Sequence, residues 1–251
     1  MLPQHPVSKQ LEIQSYIIEN KIDILHLQEC YITDDTFTQC GYITSNFNLV
    51  VNNTPNNTFY GTASIIRNDL DIKNIHTYDQ GRAIIFDAME CTWANLYLPS
   101  GNAARALREQ YSSEIIPRLM IRKLARGAAG GDLNCIISPQ DCTSDPRNKM
   151  SPSLRSLVNA FSMVDSYRAI APKTRQFSRY YSTANQVIEA SRIDRSYHWG
   201  DITVDFAEYK SVSSSDHLSL FVSYSLPSQT GRYITPPLET PIQNPTSGSQ
   251  R

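Results

Sequence analysis

The stretch Gly130-Gly131-Asp132-Leu133-Asn134 sets a carboxylate and a carboxamide two residues apart, directly after paired glycines. Glycine removes the Cβ that keeps a backbone from turning sharply or lying close to a ligand. Side chains alternate along an extended segment, so Asp132 and Asn134 are expected on one face, with Leu133 in a core. Such a pair can orient a water and hold a phosphate oxygen. It can equally close a turn, because Asx beside Gly is ordinary turn chemistry. Four other stretches end in polar groups in a similar way. Leu27-Gln28-Glu29 ends an apolar run from Ile22, with Leu25, Leu27 and Glu29 expected on one face, so Glu29 is a metal ligand or a cap. Tyr97 stands near the end of an alternating segment closed by Pro99 and Gly101, as a packing phenol or a hydrogen-bonding one. Arg192-Ile193-Asp194 and Ser215-Asp216-His217 complete the set.

The elements that must carry these residues follow from periodicity. Lys9–Asn20 has helical spacing, and Ile22–Glu29 is a strand in which His26 is a hydrogen-bonded core histidine. Residues 31–60 are rich in Asn and Thr, with weak strands at Gly41–Ser45 and Asn48–Val51. Gly61–Arg67, Ala83–Ala88 and Thr92–Leu98 are strands separated by turns. Ala103–Arg126 is the longest helical pattern, with a break or kink at Pro117, and Pro152–Ser162 is a second amphipathic helix. Phe177–Thr183 and Val187–Ser196 pair as a hairpin across Ala184-Asn185-Gln186, and Leu218–Tyr224 is the last strand. Several strand pairs are too close in sequence for helical crossovers. Two packed sheets flanked by helices therefore fit better than a doubly wound parallel sheet.

A chain of 251 residues, 40% hydrophobic and 19% charged, has the composition of a soluble globular protein. No apolar run reaches the roughly 18–20 residues that span a bilayer, and the first residues lack a signal-peptide pattern. The five cysteines are irregularly spaced with no CxxC pair, which argues against zinc and a disulfide framework and for a reducing intracellular compartment. The net charge of −1 conceals two basic segments. Residues 103–126 hold six basic and two acidic side chains, and residues 147–179 hold seven and one, local charges of +4 and +6. These suit a polyanionic partner such as nucleic acid, or are solvated helix faces. Residues 1–226 form one domain, and 227–251, made of Pro, Ser, Thr, Gln and Gly with few core formers, form a disordered tail or linker.

Together, and in this order, Leu-Gln-Glu (27–29), Leu-Tyr-Leu-Pro-Ser-Gly (96–101), Gly-Gly-Asp-Leu-Asn-Cys-Ile (130–136), Ser-Arg-Ile-Asp-Arg-Ser-Tyr (191–197) and Ser-Asp-His (215–217) resemble the endonuclease/exonuclease/phosphatase superfamily. Its metal-dependent phosphodiesterases include DNase I and the apurinic/apyrimidinic endonucleases. The likeness extends to the apurinic-endonuclease-like domain of LINE-type non-LTR retrotransposons, which nicks chromosomal DNA so that a reverse transcriptase can prime from the 3′ hydroxyl. The resemblance implies a DNase I-like α/β fold, a four-layered α/β/β/α sandwich with its active site at one edge. It implies Mg²⁺, with Mn²⁺ as an alternative, held by Glu29 and Asp216. Asp132 would orient or deprotonate water, Asn134 would fix that water or a phosphate oxygen, and His217 would donate to a non-bridging oxygen. Asp194 would fix the tautomer of His217, and Tyr97 would set its hydroxyl on the phosphate. Ser178 stands where the family often has a DNA-contacting Thr, and Ser215 caps the Asp-His turn.

Family members also begin with a strand bearing an Asn at the phosphate or metal site. No such Asn lies in residues 1–8, so that strand is expected to be missing here. The segment from Arg179 to Ser191 corresponds to a hairpin that enters the minor groove, where Tyr180, Tyr181 and Asn185 could probe groove shape; the tyrosines could instead be cross-strand pairs. The implied partners are double-stranded DNA and a reverse transcriptase domain of the same polyprotein, without a membrane, and the implied location is the nucleus. The alternatives are an abasic-site repair endonuclease, another phosphodiesterase of this fold, or a DNA-binding remnant that does not cleave.

Overall fold

The computed structural model describes residues 6–32, 41–54, 57–78, 81–121, 123–182, 188–212 and 215–227. Asn185, Cys40 and the tail from residue 228 lie outside the described residues.

A six-stranded sheet forms one layer, in the order β4-β5-β6-β7-β11-β8. Its strands are β4 (Lys73–Tyr78), β5 (Ala83–Ala88), β6 (Cys91–Tyr97), β7 (Gly127–Asp132), β8 (Val164–Asp165) and β11 (Asp194–Trp199). All neighbours are antiparallel except β6 and β7. That parallel pair requires a long crossover. The crossover is helical, with α3 (Arg105–Gln110) and α4 (Ile116–Met120). The facing layer has two parts. One is a sheet of order β1-β3-β2, from β1 (Ile24–Cys30), β2 (Phe47–Thr54) and β3 (Asn57–Arg67); the other is a ribbon of β12 (Thr203–Ser211) and β13 (Leu218–Ser225).

Alternation in β6 and β7 explains the layering. Ala94, Leu96 and Ala129 face Ile116 and Met120 of the crossover and Leu154 and Leu157 of α5 (Pro152–Ala160). Trp93 and Ala128 point the other way, into a core shared with Ile66 of β3 and bordered by Tyr224 of β13. Both faces are covered, so all seven residues of β6 are buried. Outside the smaller sheet, α1 (Pro6–Asn20) sets Ile13 and Ile17 against Leu25, Leu27 and Ile65. The result is the α/β/β/α sandwich expected from the sequence.

Two local expectations are corrected. Gly41–Ser45 is not a strand but part of α2 (Gly41–Asn46). Thr44 and Ser45 donate from their hydroxyls to the Gly41 carbonyl, and the Asn46 amide donates to that of Tyr42. Such local bonds compete with a sheet ladder. The long helix ends at Met120 rather than Arg126, and Tyr111–Ile115 within it is a π-helical turn. Pro117 has no N–H to give the carbonyl four residues back, and a widened turn just before it accommodates the lost bond.

Part of the basic character is internal. Asp141, wholly buried, accepts from Arg192 Nε and Arg168 Nη2, each at 2.9 Å, and Arg192 also grips Asp165 at 2.7 Å. Arg108, 3% exposed, donates to the carbonyls of Pro99 and Gly101. These guanidiniums hold loops and the start of β11 and are not available to a polyanion, whereas Arg105, Arg118 and Arg155 remain exposed. Asp141→Ala would break a buried ion pair, leaving Arg192 with Asp165 alone and Arg168 without its carboxylate, so it is expected to lower unfolding free energy by about 3–5 kcal/mol in urea titrations. Asp145→Ala, which removes the exposed partner of the Arg147 guanidinium and the acceptor of its backbone N–H, should cost no more than about 1 kcal/mol.

Candidate active site

Three strand ends of the large sheet place functional groups on a single rung. Tyr97 of β6 pairs in register with Asp132 of β7, and Asp132 with Asp194 of β11. Residues paired across neighbouring strands project from the same face. The rungs below on that face are Asn95, Gly130 and Ser196, then Trp93, Ala128 and His198. These face the second layer, so the row ends at the rim between the two layers.

The glycines before Asp132 have separate reasons. Gly131 adopts φ +135°, and a Cβ there would lie 2.1 Å from the Leu96 carbonyl oxygen. At Gly130 a Cβ would lie 2.6 Å from the Arg195 carbonyl oxygen. Close approach of β6, β7 and β11 therefore excludes side chains just below the carboxylates.

Asn134 reaches Asp132 by a different route from strand alternation. The strand stops at Asp132, and Asn134 turns left-handed at φ +49°. Its N–H donates to Asp132 Oδ1 at 2.9 Å and its amide to Oδ2 at 2.8 Å, while Leu133 is buried in the core. The turn and the pairing are one feature.

Glu29 also departs from alternation, which would have set it against α1 with Leu25 and Leu27. The β1–β3 register shifts between Gln28 and Cys30, and Glu29 adopts φ +52°. This bulge turns the carboxylate toward the large sheet, where Tyr97 Oη donates to Glu29 Oε1 at 2.7 Å. Tyr97 is wholly buried, and burial, then the neighbouring Glu29, push its phenol ionisation upward. Its hydroxyl is thus engaged with Glu29.

His217 Nδ1 lies 2.9 and 3.1 Å from the two oxygens of Asp194. Burial pulls the imidazole's pKa down, but the Asp194 hydrogen bond and charge outweigh it and raise the value to about 9. Burial first, and Asp194 opposite it second, raise the pKa of Asp132 far above the usual carboxylate range. Ser215 Oγ accepts from the His217 N–H at 3.0 Å, closing the turn as expected.

Other expected site residues are placed differently. Asp216 is exposed and faces Arg179 Nη2 at 3.1 Å, so it stands apart from the Asp132–Asp194–His217 cluster. Ser178 is wholly buried, where it accepts from the N–H groups of Ile193 and Asp194, each at 3.0 Å. Its hydroxyl fixes the start of β11 and meets no solvent, so it positions Asp194 in place of touching a substrate. In the hairpin of β9 (Arg179–Ser182) and β10 (Ile188–Ser191), Tyr181 donates to its cross-strand partner Glu189 at 2.6 Å. Tyr180 is 48% exposed and packs edge-on against Phe177.

Two participants carry no mark of function in the sequence. The Arg82 guanidinium stacks 4.7 Å from the Tyr97 ring centroid and 5.3 Å from that of Tyr60. Its backbone carbonyl also accepts from the Tyr97 N–H. Asn95, wholly buried, donates to the carbonyls of Leu27 and Ala63 and accepts from Gln28 Nε2. It ties the two layers together directly beneath Glu29. Asn95 lies in an apolar stretch and Arg82 in a turn, and only the packing of the sheets reveals their part.

Among the described residues, Asp132, Asp194 and His217 offer ligand atoms within 4.8 Å of one another. The donor set suits a hard divalent cation: carboxylate oxygens crowd a buried rim, and their mutual repulsion is what such an ion relieves. His217, with Nδ1 on Asp194 and a raised pKa, is better suited to donate than to ligate.

A DNase I-like α/β/β/α sandwich with a carboxylate–imidazole cluster at one rim is therefore the class of protein defined here. Among solved structures, the chain is similar to an AP endonuclease from Archaeoglobus fulgidus, with a TM-score of 0.69 and 17% identity over 88% of this chain and 95% of that one. It is similar to a 3′–5′ exonuclease (NExo) from Neisseria meningitidis, with a TM-score of 0.66 and 20% identity over 87% and 95%. A Neisseria 3′ phosphatase NExo bound to a product DNA hairpin gives 0.67 and 19% over 87% and 95%. No protein-family model and no curated protein matches the sequence.

The raised His217 pKa carries a sign. Stabilisation by the Asp194–His217 pair is fully present below about pH 6.5 and is lost as pH rises through about 9. His217→Gln should therefore destabilise the protein in EDTA at pH 6, and the difference from the parent should shrink by pH 10. Urea midpoints across that range give the measurement, and a difference independent of pH would show that the pair is not ionic.

Proposed function

We propose that this protein is a divalent-metal-dependent phosphodiesterase that nicks double-stranded DNA and leaves a 3′ hydroxyl. The observation that carries this is the convergence of Glu29, Asp132, Asp194 and His217 from four separate strands or turns onto one rim. Asp132 takes a proton from the attacking water. Asn134 donates to both oxygens of Asp132 and fixes its orientation. Asp194 keeps His217 charged with Nε2 outward, where it donates to a non-bridging phosphate oxygen as negative charge grows. Glu29, with Asp132 and Asp194 adjoining, would hold Mg²⁺ or Mn²⁺, which supplies charge stabilisation for the phosphate and the departing 3′ oxygen. Water adds to phosphorus and the bond to the 3′ oxygen breaks; that oxygen takes a proton from solvent and Asp132 returns its own to solvent, giving a 5′ phosphate and a 3′ hydroxyl.

A 3′ hydroxyl is the primer end that target-primed reverse transcription uses. The motif resemblance to LINE-type retrotransposon endonucleases supports that setting, with a reverse transcriptase as partner and the nucleus as the place of action. A second reading, an abasic-site endonuclease, is favoured by the fold similarity to the Archaeoglobus enzyme. Parallel nicking assays on intact and abasic duplex separate the two.

Supercoiled plasmid should relax to the nicked form with Mg²⁺ and remain supercoiled in EDTA. Asp132→Ala and His217→Ala should each slow nicking by at least about 100-fold with unchanged circular dichroism. A remnant that binds DNA without cleaving would show no nicking in the parent either, which would sink the proposal.

Removing the exposed part of the β9–β10 hairpin should redistribute nick positions more than it slows nicking, because Tyr180 presents its ring at the surface. Sequencing nick ends from parent and shortened proteins checks this; an identical cleavage map would exclude a role for the hairpin in site choice.

A further inference from the structure

Arg179, the first residue of β9, forms an isolated antiparallel bridge with His217. Beside that bridge the Leu218 N–H donates to the Ser178 carbonyl at 2.6 Å. The Ser178 hydroxyl in turn accepts from the N–H groups of Ile193 and Asp194. The backbone at Arg179 is therefore stitched to both strands that carry the Asp194–His217 pair. Directly bridged residues project from one face, with Cβ atoms roughly 4.5–5.5 Å apart, which sets a guanidinium beside the imidazole. Burial and, after it, the Arg179 charge lower the His217 pKa against the stronger pull of Asp194.

Each of these two cations has a carboxylate, and the two pairs differ. The side chains of His217 and Asp194 lie 2.9 Å apart and are 18% and 15% exposed. Those of Arg179 and Asp216 lie 3.1 Å apart and are 37% and 68% exposed. The first pair is enclosed, and the second is open to water, where an ion pair contributes little. The second is also incomplete. A guanidinium holds a carboxylate or phosphate best through two parallel N–H donors. Here only Nη2 reaches Asp216, while Nε is buried with no acceptor among the described residues. A buried donor without a partner leaves its desolvation uncompensated. Arg108, Arg168 and Arg192, by contrast, are consumed by internal acceptors. Arg179 is a cation fixed at the rim whose carboxylate partner stands on the surface.

We propose that Arg179 is a phosphate-binding residue held in reserve by Asp216, whose carboxylate occupies the guanidinium until a DNA phosphate displaces it beside His217. A phosphodiester carries one negative charge, as Asp216 does, so the exchange leaves Arg179 paired throughout. It also offers two non-bridging oxygens, one for His217 Nε2 and one for the guanidinium fork. The displaced carboxylate moves into water, which already surrounds most of it. Asp216 thus weakens DNA binding, and it does so through Arg179. The inference rests on DNA being the substrate, but its readout is binding without metal, so cleavage plays no part in it.

The test measures affinity for a short fluorescein-labelled duplex in EDTA across a salt series. The proteins are the parent, Arg179→Gln, Arg179→Met, Asp216→Asn and the double variant Arg179→Gln/Asp216→Asn. Both Arg179 substitutions keep the buried stem, and each should weaken binding about tenfold and reduce the salt slope by about one. Asp216→Asn should tighten binding about threefold in the parent and change nothing once Arg179 is Gln. Parent-like affinity and slope in either Arg179 variant, with an unchanged thermal midpoint, would overturn the inference. So would equal tightening by Asp216→Asn with and without Arg179, which is plain repulsion of a polyanion. A parent that does not bind the duplex removes this inference and the DNA reading together. Plasmid nicking with Mg²⁺ keeps the two apart. A parent that nicks, with Arg179 variants that bind as it does, overturns this inference alone; the expected binding pattern without nicking overturns only the phosphodiesterase reading.

Discussion

Two carboxylates, Asp132 and Asp194, stand opposite each other on neighbouring strands with too little water around them to be indifferent to each other's charge. Like charges at such a spacing cannot both ionise without help. The surrounding structure supplies that help one group at a time. Asn134 donates twice to Asp132, His217 neutralises Asp194, and Ser178 fixes the backbone of Asp194 by accepting its N–H. The rung that brings the carboxylates together would be unfavourable without those contacts. A protein selected only for stability would place apolar side chains there. Strain of this kind, concentrated at one rim and counterbalanced locally, is characteristic of sites that perform chemistry.

The rung belongs to one layer and its partners to the other, so the site exists only while the two layers keep their spacing. Asn95 and Gln28 form a polar tie between layers in an otherwise apolar interface, directly below Glu29. The bulge at Glu29 has the same dependence. Without the register shift, the carboxylate would follow Leu25 and Leu27 to the helix side. One extra residue in one strand thus decides whether the acidic group belongs to the site or to the outer surface.

Much of this is legible in the sequence, for a physical reason. Alternation between apolar and polar residues is imposed by the sheet faces, so periodicity alone assigns Trp93, Asn95 and Tyr97 to one side. Glu29 and Asn134 reach the rim by left-handed backbone, which no alternation rule encodes. Ser178 and Asp216 show the opposite failure. Each lies in a motif that leads to a true cluster residue, yet Ser178 turns inward and Asp216 turns toward Arg179. Motif order identifies the strand end, but the direction of each side chain depends on neighbours from distant segments. The basic segments mislead in the same way. Arg108 and Arg168 contribute to a positive local charge in the sequence, and both are consumed by internal acceptors.

The division of the second layer bears on how the rim is held. β1 delivers Glu29 and β13 follows directly on His217, yet no backbone hydrogen bond joins these two strands among the described residues. Their separation is set by indirect contacts: α1 across the outside, Tyr16 to Ser219 and Asn20 to Lys210, and the large sheet across the inside. Side-chain bridges between partly exposed groups constrain distance less firmly than a ladder of buried backbone bonds. The Asp194–His217 pair is anchored within the β11–β13 side, and the Glu29–Tyr97 pair within the β1–β6 side. Tyr97 and Asp194 nevertheless stand on one rung of the large sheet, so the β6–β7–β11 ladder sets the spacing of the two pairs, and the freedom left in the site lies in how Glu29 and His217 reach that rung from the divided layer.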